Sequence, residues 1–329
     1  VKMSHSRLLD LLLSQPGQYV SGEEISRKLS ISRTAVWKQI NKLREEGYEF
    51  DAVSRKGYRL ISKPERLEYS GLLQAMNTKS FGRKLKLLEV TTSTQEEVRL
   101  LAELGAAEGT LVIAEEQTIG RGRQGRRWHS PAGKGVWMSL LLRPPLPLTR
   151  APQLTLLSAV AVCRAIRAVT GVEVGIKWPN DLLVHGRKIC GILLESIGED
   201  EMIRYCIAGV GIDANLEPSD LPPELRTIAT SLQIESGRKV DRVVLIGAVI
   251  AELEKFYELY LEEGFAPIGH LWEALSVTTG QDITVKTAQG EVRGRAMGLD
   301  ENGGLLVMQE DHRLTTIFSG EVQIDGCNP

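Results

Sequence analysis

The chain is short of the residues that announce several common functions. Its 329 residues include only four cysteines, Cys163, Cys190, Cys206 and Cys327, and no CxxC pair. That spacing excludes a zinc finger or ribbon and supplies no disulfide framework, so a reducing, cytoplasmic setting is expected. No apolar run reaches the roughly 18 residues of a membrane span. The first residues lack a charged-then-apolar stretch ending in small residues, so no membrane and no secretory signal are expected. No glycine-rich run is followed by GK[ST], which excludes a Walker A loop. A large excess of charge of one sign is also missing, since the formal net charge is -2.

That near-zero total hides an asymmetry. Residues 1–63 hold 12 Lys and Arg against 7 Asp and Glu, so the remainder is net negative. A basic module on an acidic body points to two different partners. The opening segment predicts three short helices. Leu8, Leu9, Leu12 and Leu13 form the apolar stripe of the first, which Pro16 and Gly17 end. Ser21 with Glu24 has capping-box spacing for the second, whose inner face is Ile25 and Leu29. Ser32 caps the third, with Val36, Ile40 and Leu43 inward. "DAVSRKGYRLI" adds two strands around Lys56-Gly57. This is the plan of a winged helix-turn-helix, with residues 32–44 as the helix that enters a major groove. Ser32, Arg33, Thr34, Trp37, Lys38 and Asn41 on that helix, with Arg55, Lys56 and Tyr58 on the wing, are the expected operator-DNA contacts. Arg and Lys suit phosphates, whereas Thr34 and Asn41 suit base edges. The competing reading is a three-helix protein-binding module whose basic face is merely solvated.

After "SKPERLEYSG", a plausible linker, short apolar strands alternate with longer helical patterns. Strands are expected at "LKLLEV", "TLVIAEE", "VWMSLLLR", "VEVGIKW", "ICGILLES" and "MIRYCIAGVGI", and helices over 153–169 and 241–263. A hairpin should turn at His185-Gly186. Strands outnumber helices, so the expected class is α+β and multidomain: a winged helix-turn-helix over 1–63, a body with a mixed sheet over 64–275, and a small SH3-like β-barrel over 276–329. The barrel is expected from the alternating tail, with a turn at Asp300–Gly303 and His312 on its surface.

One stretch carries more chemistry than the rest. "GRGRQGRRW" (120–128) packs three glycines and four arginines into nine residues. Gly120, Gly122 and Gly125 match GxGxxG, but no parallel strand-turn-helix unit follows, so a dinucleotide fingerprint is disfavoured. Glycines let a backbone approach a ligand closely, and guanidinium forks suit phosphate oxygens. Like charges so crowded repel, so the loop is expected to be mobile when empty and ordered by an anion.

With "TSTQ" (92–95), "EEQTIGRGRQGRRW" (115–128), "KWPND" (177–181), "GRKICGILLE" (186–195) and "GVGIDAN" (209–215), the chain resembles the biotin protein ligases. It is similar to their bifunctional type, ligase and biotin-operon repressor in one chain. The resemblance runs from the winged segment to the last strands. It implies ligation of biotin to a lysine of the biotin carboxyl carrier protein of acetyl-CoA carboxylase, by way of biotinyl-5′-AMP, with ATP and Mg²⁺. It also implies biotin-responsive repression by a homodimer that the adenylate promotes. By the same resemblance Lys188, Arg121 and Arg123 are catalytic. Biotin falls to Ser93, Thr94, Gln95, Gln117, Arg121, Gly122, Arg123, Lys188 and Gly191. ATP and the adenylate fall to Arg121, Arg123, Arg126, Asn180, Asp181, Lys188, Asp213 and Asn215, with Asp181 on Mg²⁺. Ser93 or Thr94 should also cap a helix starting near Gln95.

The sequence departs from its relatives at Asp213, where the family often carries an Asn that contacts adenine. Asn215 is the alternative for that contact. The segment covering adenine should lie in 215–230, and "EPSDLPPEL" makes an apolar lid with no aromatic residue. Three rival readings are a biotin-sensing transcription factor without chemistry, a ligase whose winged segment no longer regulates, and a lipoate ligase. The intact Lys188 and arginine run disfavour the first, the basic helix face weighs against the second, and KWPND followed by GRKxxG disfavours the third.

Overall fold

The computed structural model describes residues 2–15, 17–45, 48–53, 56–62 and 66–325. Arg55 and Cys327 therefore lie outside the described residues. The chain divides into two compact units, Val1–Arg66 and Leu67–Pro329.

The first unit contains α1 (Lys2–Leu13), α2 (Gly22–Leu29), α3 (Arg33–Glu45) and a two-stranded sheet, β1 (Glu49–Val53) with β2 (Gly57–Ser62). Side-chain caps define where its helices begin. The Ser21 hydroxyl accepts from the Glu24 N–H at 3.0 Å, and the Ser32 hydroxyl from the Ala35 N–H at 3.1 Å. Leu8, Leu12, Ile25, Val36, Ile40 and Leu43 make the core with Val20. Leu13, expected in the first stripe, is 49 % exposed. At about 100° per residue it has rotated past the face that Leu8 and Leu12 share. β1 and β2 pair antiparallel, with Val53 opposite Gly57.

The second unit is built on a mixed sheet. Its elements are α4 (Tyr69–Ala75), β3 (Leu85–Thr91), α5 (Thr94–Glu103), β4 (Leu111–Arg121), β5 (Arg127–Ser130), β6 (Val136–Leu142), α6 (Ala151–Thr170), β7 (Gly175–Lys177), β8 (Asp181–Val184), β9 (Arg187–Glu199) and β10 (Met202–Ile212). The sheet runs β3-β4-β6-β10-β9-β8-β7, with β5 paired to β4. β3 and β4 are parallel and the other pairs antiparallel. The "VEVGIKW" strand shortens to its last residues, although Val172 and Val174 before it remain buried. β8 and β9 meet at His185 and Gly186, both at positive φ (49° and 79°), as a tight hairpin requires.

α6, α7 (Leu232–Ser236), α8 (Arg242–Glu263) and α9 (Ala266–Leu275) follow their strands or connections. Residues Leu148–Thr170 are long and apolar enough to cross a membrane by length and composition. Their hydrophobic window is 72 % buried inside the protein, because α6 lies among β8, β9, α8 and α9. The last strands, β11 (Asp282–Thr287), β12 (Gly290–Leu299), β13 (Leu305–Met308), β14 (Leu314–Ile317) and β15 (Glu321–Ile324), form one antiparallel sheet in the order β14-β13-β12-β11-β15. It is an open path: among the described residues its two end strands, of four residues each, do not pair, and the SH3-like closure expected from the sequence is not seen. His312 is exposed.

Candidate functional site

A cleft of about 1310 Å³ opens over the strand ends of the mixed sheet and extends to the last sheet. Its inner end begins at α5. Ser93 caps that helix, its hydroxyl accepting from the Gln95 N–H at 3.3 Å, and Ser93, Thr94 and Gln95 are all buried. The Thr94 N–H donates to the Gln117 Oε1 at 2.9 Å, while Gln117 Nε2 donates to the Ser130 hydroxyl at 2.9 Å. Thr94 Oγ1 lies 2.7 Å from Ser139 Oγ. The result is a small network of hydroxyl and amide groups beside the apolar Met138, Ile192 and Val210. Such a setting suits a ligand with a polar ring on an apolar body. Gln95 turns the other way, donating to Glu195 at 2.9 Å.

The arginine run is a turn of the sheet. β4 extends to Arg121, and the chain returns as β5 with Arg127 opposite Arg121. The Gly122 N–H donates to the Arg126 carbonyl at 2.8 Å, closing the turn. The crowded like charges of this run repel one another. Here carboxylates and carbonyls offset that repulsion. Arg121 pairs with Glu96 and, at 3.1 Å, with Glu195. Arg123 donates to the Asn180 Oδ1 at 3.1 Å and the Gly320 carbonyl at 3.4 Å, and its burial lowers its pKa. Arg126 grips Glu321 through two bonds, 2.9 and 2.5 Å, which holds the Glu321 carboxyl below the usual range.

Lys188 projects from the start of β9. Its ammonium is 2.7 Å from Asp181 Oδ1 and 5.0 Å from the centre of the Trp128 ring. Its backbone is fixed from both sides, donating to Ile228 at 2.8 Å and accepting from Thr230 at 2.9 Å. Lys177 stands opposite Asp181 on the β7–β8 hairpin. Desolvation pulls its pKa down against the attraction of Asp181. Asn180 donates its amide to the Ile192 carbonyl at 2.9 Å, leaving its oxygen for Arg123. Trp128 lies flat on β9 and β10: a Cβ on Gly191 or Gly211 would come within 2.8 or 2.6 Å of its indole. Only glycine permits that approach.

The cleft thus gathers Ser93, Thr94, Gln95, Gln117, Arg121, Gly122, Arg123, Arg126, Asn180, Asp181, Lys188, Gly191 and Asp213. Asn215 is not among its lining residues. Its side chain is occupied by Val240, donating to the carbonyl and accepting from the N–H, each at 2.9 Å. A side chain bonded twice to one backbone unit is a structural clamp, so of the two alternatives Asp213 is the one that faces the cleft. From the 215–230 segment Leu221, Leu225, Ile228 and Ala229 line it together with Thr227, a mostly apolar contribution without an aromatic residue. Sequence reasoning missed Ser139, Trp128, Lys177 and Glu321. Ser139 had a signal, a lone hydroxyl in the apolar run "VWMSLLLR", and Trp128 was quoted without a role. Nothing in the sequence joined Glu321 to a residue 195 positions away.

In the first unit, α3 presents Ser32, Arg33, Thr34, Trp37 and Lys38 exposed, with Asn41 half-buried. Arg33 makes an exposed pair with Glu23 at 2.8 Å. On the wing, Lys56 is exposed, whereas Tyr58 is half-buried and packs on the core. Tyr58 exchanges two backbone hydrogen bonds with Val20, each 2.9 Å.

Comparison with known proteins places these two sites in one family. Residues 87–213 match the model of the Biotin/lipoate A/B protein ligase family. Residues 5–59 match an HTH domain, and 278–325 the Biotin protein ligase C terminal domain. The Bifunctional ligase/repressor BirA of Bacillus subtilis (strain 168) is 44 % identical over 96 % of this chain and 97 % of its own. That of Escherichia coli (strain K12) is 31 % identical over 97 % and 96 %. Among solved structures, the biotin protein ligase from Aquifex aeolicus in complex with biotin and ATP superposes with a TM-score of 0.64 at 30 % identity. It covers 73 % of this chain and 98 % of that one. With a helix-turn-helix unit, a cleft lined by the arginine turn and full-length relatives of both kinds of activity, the chain belongs to the bifunctional biotin ligase/repressor family.

Proposed function

We propose that the cleft joins the carboxylate of biotin to the α-phosphate of ATP and then passes the biotinyl group to a lysine of a carboxyl carrier protein. The observation that carries the reading is the position of Lys188, its ammonium between Asp181 and Trp128 with Arg121, Arg123 and Arg126 on the same cleft. Two anions must be brought together, so fixed cations at one spot lower the barrier. In the first step a biotin oxygen attacks the α-phosphorus and the bond to the β-phosphate breaks, releasing pyrophosphate. Lys188 neutralises both reacting groups, and the arginines take phosphate oxygens by leaving their protein partners, carboxylates for Arg121 and Arg126 and the Asn180 and Gly320 oxygens for Arg123. In the second step the carrier amine attacks the acyl carbon and AMP departs.

Biotin's ureido ring is assigned to the network of Ser93, Thr94, Gln117, Ser130 and Ser139. Gln95 and Gly191 shape its surroundings more than they bind it. Among the described residues no group of three His, Cys, Asp or Glu side chains would hold a metal by itself. Mg²⁺ commonly binds one or two carboxylates together with substrate phosphates, and Asp181 fits that pattern. The ion would supply charge neutralisation on the phosphates.

We further propose that α3 and the wing bind operator DNA, that two copies pair when the adenylate fills the cleft, and that the protein works in the cytoplasm. A single helix gives little specific contact, and a two-fold pair doubles it. Residues 276–329 are proposed as a distinct C-terminal domain, whose Gly320 and Glu321 meet Arg123 and Arg126 of the arginine turn. Incubation with biotin, MgATP and a carrier domain tests the reading. A biotin mass increment on one carrier lysine, with release of AMP and pyrophosphate, is expected; ATP consumption that ignores biotin contradicts it.

A further inference from the structure

The lysine at the centre of the cleft has a neighbour with a carboxylate of its own. Arg187 and Lys188 are adjacent on β9. Lys188 turns to Asp181, whereas Arg187 donates to Glu235 Oε1 at 2.6 Å. Glu235 stands on α7 with its side chain only 7 % exposed, and it is not among the residues that line the cleft. The same oxygen accepts from the Thr230 hydroxyl at 2.6 Å, and His185 Nδ1 lies 3.3 Å from the other oxygen. Burying a carboxylate is costly unless charge and hydrogen bonds compensate it. Here the compensating groups come from the β8–β9 hairpin and from the end of the covering segment.

The local chain explains how Glu235 reaches them. The Ser231 hydroxyl caps α7, accepting from the Ile234 N–H at 3.2 Å, and one turn later the helix brings Glu235 back to Thr230. The Ser231 hydroxyl also donates to the Leu216 carbonyl at 2.6 Å, which ties the two ends of the covering segment together. Thr230 and Ser231 are fully buried. Thr230 N–H donates to the Lys188 carbonyl, and Lys188 N–H to the Ile228 carbonyl, so that Ala229 and Lys188 form a parallel bridge. One hydroxyl therefore connects Glu235 to the backbone bonds that fix Lys188. Thr227, Ile228 and Ala229, just before that hydroxyl, line the cleft.

We propose that Glu235 is a positioning residue: through Thr230 and Arg187 it clasps the end of the covering segment to β9, which sets Lys188 and keeps the segment closed over the activated intermediate. The proposal rests on the ligase reading above and deepens it. The carboxylate touches no reacting atom, and its effect runs through the backbone. Without it the Thr230 hydroxyl is left buried and unpaired, and the two bonds between the segment and Lys188 open more often. The polar network of Ser93, Thr94 and Gln117 belongs to α5 and β4 and does not depend on the clasp.

The informative substitution is Thr230→Val, which nearly keeps the side-chain shape, removes the donor and leaves Glu235 paired with Arg187. In the full chain without ligands, amide exchange at Lys188 and Thr230 should be about tenfold faster than in the wild type, the effect of losing one buried hydrogen bond. With biotin and MgATP, biotinyl-5′-AMP should dissociate about tenfold faster, while biotin alone binds with unchanged affinity. Thr230→Ser keeps the hydroxyl and should hold both rates near the wild-type values. Glu235→Gln, which accepts without charge, should fall between. A residue that only stabilises the fold would instead lower the melting temperature and weaken biotin and adenylate binding together. That pattern, wild-type retention of the adenylate by Thr230→Val, or loss of retention in Thr230→Ser would overturn the proposal. A wild-type chain that makes no adenylate, with exchange at Lys188 and Thr230 still faster in Thr230→Val, would defeat the ligase reading and leave the clasp standing.

Discussion

Both units present basic side chains, and they hold them in opposite ways. On α3, Arg33 shares one exposed contact with Glu23, and Lys38 stands exposed. An exposed pair of this kind contributes about 0–1 kcal/mol, so little holds these cations back from a phosphate backbone. On the β4–β5 turn, Arg121, Arg123 and Arg126 are each fixed by acceptors from other parts of the fold: α5, β9, Asn180 and the β15 strand. Those cations are aimed before any ligand arrives, and they must be handed from protein oxygens to phosphate oxygens. The first arrangement suits salt-sensitive, sequence-tolerant attraction. The second suits chemistry, where geometry has to be established in advance.

Removing the central cation is the harshest way to sharpen this contrast. Lys188→Ala should lower biotin-dependent pyrophosphate exchange by about 100-fold to 1000-fold, with a melting curve close to that of the wild type. Exchange within a few-fold of wild type would remove Lys188 from the chemistry. DNA binding should be unaffected in the absence of biotin, since the deletion lies in the other unit.

The DNA face should respond more gently. Arg33→Ala combined with Lys38→Ala should weaken operator binding about tenfold and reduce the slope of log affinity against log salt by about two. Biotin transfer to the carrier should continue at the wild-type rate. A variant that binds as tightly, with the same salt slope, would favour the protein-binding reading of this unit.

The smallest effect concerns partner exchange itself. The carboxyls of Asp51 and Glu321 both titrate below their ordinary range, Asp51 through its bonds to Tyr19 and Arg59 and Glu321 through Arg126. For a depressed folded-state pKa, the stabilising contribution is full above the unfolded value and disappears as pH falls through the folded one. Both contributions should therefore be full and independent of pH near neutrality and lost in acid. Adding ATP should raise the Glu321 value toward the ordinary carboxylate range, because Arg126 changes partner, and should leave Asp51 where it was. Carboxyl-carbon NMR titration measures both at once; a Glu321 value that does not move means Arg126 keeps its protein partner.

Much of the molecule is legible in its residues because the signals are local. Capping at Ser21, Ser32 and Ser93 needs only a hydroxyl two or three residues from an open N–H. The turn at His185-Gly186 follows from the positive φ that glycine accepts beside a second permissive residue. The arginine run announced anion chemistry through its density of cations and glycines, whereas KWPND and GRKICG took their roles from the resemblance. Leu13 and the length of β7 were less legible, since both depend on where a neighbouring element happens to end.

Composition and spacing by themselves indicated the basic first unit and the mixed-sheet body, and the resemblance supplied most of the residues that line the cleft. Tertiary structure decided how those residues are used. It bound Asn215 to Val240 and turned Asp213 to the cleft, although the two stand two positions apart in one motif. It brought Glu321 to Arg126 across 195 residues, set carboxylates and carbonyls against a repelling run, and left the end strands of the last sheet unpaired among the described residues. The physical reason is the same throughout. Helix caps and tight turns are settled by neighbours in the chain, whereas desolvation and ion pairing depend on which distant groups the packed fold brings within a few ångströms.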